Sequence, residues 1–147
     1  MLMAAMTIMD ARPYDPARER QRRIKIISVI VVAAALAALA WSLRYWPEER
    51  AVGHFFGALQ AQDYPGAYRL YHPDTAKYPY NEFYQDWGPG GPWGVIKNYK
   101  IFDSGVCPHG SGVVVDVVVN GRAEHAQIWV EPSDKSLSIP PCELQFR

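Results

Sequence analysis

The chain has 147 residues, room for one globular domain and an extension. Its 15 basic and 15 acidic residues balance, so it lacks the basic excess that nucleic-acid binding draws on. The two signs are nevertheless unevenly spread. Six basic residues (Arg12, Arg18, Arg20, Arg22, Arg23, Lys25) and three acids precede Ile26, whereas the part from Arg44 onward holds nine basic and twelve acidic residues.

Residues 1–23 read as a short basic cytoplasmic tail. The stretch 1–21 has no apolar periodicity, carries Pro13 and Pro16, and is expected to be disordered because it cannot bury enough surface to fold. Residues 24–46 read as a transmembrane helix. Their centre, IISVIVVAAALAALAWSL over 26–43, holds no charge and spans about 27 Å at about 1.5 Å per residue, close to a bilayer core. The basic cluster before it places the N-terminus in the cytoplasm by the positive-inside rule, and Trp41, Tyr45 and Trp46 suit the far interface. A cleaved signal peptide is the rival, since Ala38-Leu39-Ala40 fits a cleavage pattern. The long leader and an apolar run that continues through that cut favour an uncleaved anchor, with residues 47–147 outside the cytoplasm.

In that domain, Pro47, Glu48 and Glu49 suit a helix first turn. Val52, Phe55, Phe56 and Leu59 then recur at helical spacing as a buried stripe, and His54 falls on the opposite, solvent side. Asp63 can cap a second helix carrying Tyr64, Tyr68 and Tyr71, closed by His72-Pro73. A third, short helix is expected to take Asn81 as its cap, to point Phe83, Tyr84 and Trp87 inward, and to stop at Gly88. The loop DWGPGGPWG lacks the GK[ST] of a phosphate loop and sits between a helix and a strand in the wrong order. It reads as a rigid corner.

Beyond Gly94 the period changes to two. A strand is expected over 95–103, and VVVDVVVNGRAEHAQIWV reads as a hairpin closed by Asn120-Gly121, a turn that needs positive φ twice. A two-residue turn there places Val119 opposite Arg122 and Asp116 opposite His125. Val113, Val115, Val117, Ala126, Ile128 and Val130 then form the core face, and residues 137–139 a last strand. Helices followed by an antiparallel meander predict an α+β domain with helices on one sheet face.

FFGALQAQDYPGAYRLY, the short aromatic helix, DWGPGGPWGVI and the meander, behind a lone membrane helix, resemble a nuclear-transport-factor-2-like (cystatin-like) domain. More narrowly, the layout is similar to that of uncharacterised bacterial membrane-anchored proteins, and the resemblance covers roughly residues 48–139. It implies helices packed on a curved antiparallel sheet. It also implies a superfamily that includes enzymes, ligand-binding modules and assembly subunits, so the fold does not choose the function.

Four features could carry chemistry. Tyr64, Tyr68, Tyr71, Tyr84, Trp87 and Trp93 head an aromatic inventory whose hydroxyl and indole groups need partners when buried; they are the expected ligand or partner surface. Asp116 and His125 could act as an acid–base pair, but on the face away from the core they read as a solvated cross-strand pair worth about 0.2–1 kcal/mol. Cys107 and Cys142 are expected to form a disulfide in an oxidising compartment. A metal site from them with His109 and His125 lacks any zinc spacing. The basic juxtamembrane residues are topology determinants attracted to anionic lipid. No catalytic residue, metal or cofactor is assigned, and no nucleic-acid partner.

Three functions compete. The first is a non-catalytic, membrane-anchored binding module that holds a small apolar ligand or a protein partner in the membrane or periplasm. The second is an accessory structural subunit of a membrane complex. The superfamily's type IV secretion subunit has that layout but a longer chain. A dehydratase- or isomerase-type enzyme ranks last, because no carboxylate or histidine is expected among the pocket aromatics.

Overall fold

A computed structural model describes residues 15–145; most of the expected tail lies outside the described residues. The chain divides after Ser42 into two units.

The first contains helix α1, Pro16–Ser42, 27 residues or about 40 Å long at about 1.5 Å per residue. It is long and apolar enough to cross a membrane. It begins inside the basic stretch rather than at residue 24. Asp15 Oδ1 accepts the Ala17 N–H at 3.0 Å, Pro16 fills the first position, and Arg23 Nε donates to Glu19 Oε1 at 3.2 Å. Alanine, arginine, glutamate and glutamine favour helix, so a capped start extends the apolar helix backward through residues expected to be tail.

The second unit is α+β. Helices α2 (Trp46–Gln60), α3 (Tyr64–Tyr71) and α4 (Tyr80–Trp87) precede strands β1 (Tyr99–Val106), β2 (Val113–Val119), β3 (His125–Val130) and β4 (Leu137–Ser138). The strands form one open antiparallel sheet in sequence order. Val52, Phe55, Phe56 and Leu59 of α2 are at most 1% exposed and form one core with Val113, Val115, Val117, Ala126, Ile128 and Val130. Burying each such side chain is worth about 1.5–3 kcal/mol. Polar links fix α2 on the sheet: Tyr99 Oη donates to the Gly53 carbonyl at 3.0 Å, and Ser104 Oγ to Glu49 Oε1 at 2.7 Å. Glu48, placed by sequence only as a first-turn acid, is buried and takes a 2.8 Å bond from Lys135 Nζ.

Helix α3 is capped by Asp63, whose Oδ1 accepts the Gly66 N–H at 2.9 Å. It ends at His72 in the left-handed region, φ 48°. Helix α4 departs from expectation at its start and on one face. It begins at Tyr80 with Pro79 before it and no side-chain cap, because proline's fixed φ already suits a helix entry. Tyr84 is 43% exposed while Phe83 and Trp87 are buried, the outcome for a residue one position off the inward pair.

The hairpin differs in register. Asn120 and Gly121 have φ 52° and 65°, and the Arg122 N–H reaches the Val119 carbonyl at 3.0 Å, so the tight turn forms. The ladder, however, pairs Val118 with His125, Val117 with Ala126 and Asp116 with Gln127. The pairing is slipped by two residues, with Ala123 and Glu124 outside the strand. An even slip keeps every side chain on its face, so the core set is unchanged while Asp116 and His125 become diagonal neighbours. The Asn120 side chain accounts for the late start of β1, at residue 99 instead of 95. It accepts the Lys97 and Asn98 N–H groups at 2.8 and 3.3 Å and donates to the Val95 carbonyl at 3.0 Å. Those backbone groups are therefore spent on the turn. At the far end β4 stops at Ser138, leaving Ile139 83% exposed.

Candidate functional site

The corner 86–94 is held by close backbone packing. A side chain at Gly91 would collide with the carbonyls of Gln85 and Asp86, and the Gly91 N–H bonds the Gly88 carbonyl at 3.0 Å. Arg122 Nη1 donates to the Pro92 carbonyl at 2.8 Å, tying the corner to the hairpin. The Trp87 and Trp93 rings consequently lie nearly parallel, 14° apart in plane and 6.5 Å between centroids.

Beside this corner opens a cleft of about 280 Å³, lined by Tyr71, Tyr78, Asp86, Trp87, Trp93 and Ile139 together with Pro92, Gln127, Ile128 and Ser138. A second cleft of about 440 Å³ adjoins it across Tyr71, Tyr78, Ser138 and Ile139 and extends to His72, Asp74 and Lys77. Of the six aromatics singled out from sequence, Tyr71, Trp87 and Trp93 meet here. The other three form a separate run along α3 and α4. Tyr64 meets Tyr84 edge to face at 5.2 Å, and Tyr68 donates to the Tyr78 carbonyl at 2.8 Å while touching Tyr80 and Phe83.

The cleft also holds Tyr78, a further member of the aromatic inventory, and Asp86, which was not singled out in the sequence. They are joined by a 2.6 Å bond from Tyr78 Oη to Asp86 Oδ2. The expectation of a pocket without a carboxylate is therefore corrected. Burial, and after it the bond to and charge of Asp86, raises the Tyr78 phenol above its ordinary value. Burial, then the Asp86 charge, pushes Tyr71 up to about 12. Both phenols keep their protons across the neutral range, and Tyr78 donates its proton to the Asp86 bond.

The second cluster lies on the opposite sheet face. His125 Nδ1 is 2.6 Å from Asp116 Oδ2. The pair is only half solvated: Asp116 is 1% exposed and its Oδ1 has no partner among the described residues, while the His125 side chain is 29% exposed. A β-bulge between Ile101 and Asp103 sets Asp103 opposite Asp116, and the Phe102 ring meets the His125 ring edge to face at 5.1 Å. The C-terminal segment covers this face. Gln127 donates to the Leu144 carbonyl at 2.6 Å and accepts the Leu144 N–H at 3.1 Å. The sulfurs of Cys107 and Cys142 lie at disulfide distance, with Cα atoms 6.0 Å apart. His125 reaches the surface in a shallow cleft with Gln127, Ile139, Pro140, Pro141, Cys142 and Glu143. Among the described residues no cluster of three or more His, Cys, Asp or Glu could hold a metal ion.

No protein-family model, curated protein or solved structure matches this chain.

Proposed function

We propose that the chain is a single-pass, membrane-anchored binding module. It would carry its folded domain on the periplasmic side of a bacterial inner membrane and hold a ligand without transforming it. The observation that carries this reading is the aromatic cleft at the Trp87–Trp93 corner, with the strongly exposed Ile139 at its lip. Concave, mostly apolar spaces with a few placed polar groups are where small molecules bind. The excess of basic residues before the apolar helix supports a cytoplasmic N-terminus. The nuclear-transport-factor-2-like resemblance supports a ligand-holding space between helices and sheet.

The test is a panel of small apolar and amphiphilic probes titrated into the full chain in a maltoside detergent, read by ligand-observed NMR and tryptophan fluorescence. Binding weakened by Trp93→Leu supports the reading; a panel silent throughout rejects it. A second reading, an accessory subunit of a membrane complex, is favoured by a different observation. Leu70, Tyr80 and Tyr84 on α3 and α4 are each at least 38% exposed, and tyrosine is enriched at protein interfaces. Native mass spectrometry after mild extraction tests it, with co-purifying subunits expected in fixed ratio.

A further inference from the structure

We propose that the cleft at the Trp87–Trp93 corner takes an organic ammonium group, a positively charged nitrogen carrying methyl or alkyl substituents. The inference rests on the ligand-holding reading above and narrows it to a chemical class.

The walls supply the first argument. Tyr71, Tyr78, Trp87 and Trp93 bring four aromatic rings to one space of about 280 Å³. An aromatic ring is negative on its faces, and a cation within about 6 Å of its centroid is attracted, most strongly by tryptophan. Charge supplies the second. Among the described residues, Asp86 is the only charged one lining this cleft; no described lysine, arginine or histidine does. Tyr78 Oη bonds one oxygen of that carboxylate, which orients it without cancelling its charge, because the phenol is neutral.

The same features disfavour the alternatives. An anion would meet Asp86 with no cation to offset it. A bare metal ion asks for several oxygen or nitrogen ligands, where these walls offer rings and one carboxylate. A neutral apolar ligand would draw nothing from the Asp86 carboxylate, which is exposed and takes its bond from Tyr78. An alkylated ammonium satisfies both parts, its substituents against the rings and its charge toward the carboxylate. The volume falls near the lower end of small-molecule sites, which start at about 300 Å³, and so suits a headgroup-sized ligand. Such a group occurs on soluble compounds and on lipid headgroups alike.

The experiment uses the full chain in a maltoside detergent, free of ammonium. Choline is titrated against its uncharged carbon isostere, in which a tert-butyl group replaces the trimethylammonium, with saturation-transfer NMR and tryptophan fluorescence as readouts. Choline is expected to bind at least about tenfold more tightly, as ring and carboxylate attraction together imply. Asp86→Asn should abolish that preference with near-UV circular dichroism unchanged, and Trp93→Leu should weaken choline independently. A short-chain phosphatidylcholine below its micelle concentration separates the sources. Tighter binding than choline marks a lipid headgroup and equal binding a soluble ligand, and either supports the assignment. Equal affinity for choline and the isostere overturns the ammonium class and leaves the ligand-holding reading standing. Silence to choline while other probes of the panel still bind at Trp93 does the same. Silence to every probe overturns both.

Discussion

The two faces of the sheet are built on different principles. The inner face sets Val113, Val115, Val117, Ala126, Ile128 and Val130 against Phe55 and Phe56 of α2, with the Tyr99 and Ser104 bonds to α2 at its β1 side. Its stability is spread over many interchangeable contacts, each proportional to area. The outer face carries Val114, Asp116, His125, Gln127 and Trp129; a short Asp116–His125 contact lies within it, and a reciprocal amide bond and a disulfide hold its cover. An area-based face should lose stability in proportion to the atoms removed. A link-based face should respond to which partner is removed.

The largest expected effect is on the inner face. Phe56 is fully buried and contacts Phe55, Trp87 and Tyr99. Phe56→Ala should cost about 3–5 kcal/mol in urea unfolding, the usual range for such cavities. The outer face should show an asymmetry that no area argument produces. His125→Ala removes the partner of Asp116 Oδ2 and leaves a buried carboxylate whose other oxygen has none among the described residues, and should cost up to about 3 kcal/mol. Asp116→Val removes the buried polar group itself and should leave stability within about 1 kcal/mol of the parent, or raise it. Equal losses in both variants would mean that the outer face, too, is held by packing area.

A smaller effect is expected from the disulfide. Cys107 and Cys142 close a separation of 35 residues, and reducing them should cost about 2–4 kcal/mol. The loss should be confined to the outer face. Gln127 side-chain amide protons should lose their NMR protection as the C-terminal segment lifts, while the Trp87 indole signal stays in place.

This contrast also separates what could be read from the sequence from what could not. The inner face was legible because alternation of period two and helical spacing of the apolar residues on α2 are local patterns, and the cap at Asp63 is another. The exact pairing was not, since Asn120-Gly121 forms its turn and yet the ladder resumes two residues later. Parity protected the face assignment from that error. The burial of Asp116 was hidden because its cover, residues 142–144, has no periodicity of its own. Asp86 was missed for a similar reason. It meets Tyr78 across the turn into α4, and no spacing rule joins an acid on a helix to a phenol before it.

The smallest effect at neutral pH, in fact none, is expected from the phenols, and it tests the comparison from the alkaline side. Burial and the nearby Asp86 charge hold Tyr71 at about 12 when folded, against about 10 in an unfolded chain. A raised value means that the folded state retains the proton more strongly. Below pH 10 both states are protonated and the contribution to stability is fully present. Above it the unfolded chain ionises first and gains, so the contribution is lost as pH rises toward about 12. Tyr78, raised in the same direction, adds to that slope. Both residues belong to the helical side of the sheet, and the outer-face residues Val114, Asp116, His125, Gln127 and Trp129 include no tyrosine. Alkaline loss of structure should therefore begin at Trp87 and Trp93. Tyrosinate absorbance should rise together with loss of near-UV dichroism, and Tyr71→Phe should flatten the slope between pH 10 and about 12 with little change at neutral pH. An unchanged slope in that variant would assign the alkaline sensitivity elsewhere in the domain.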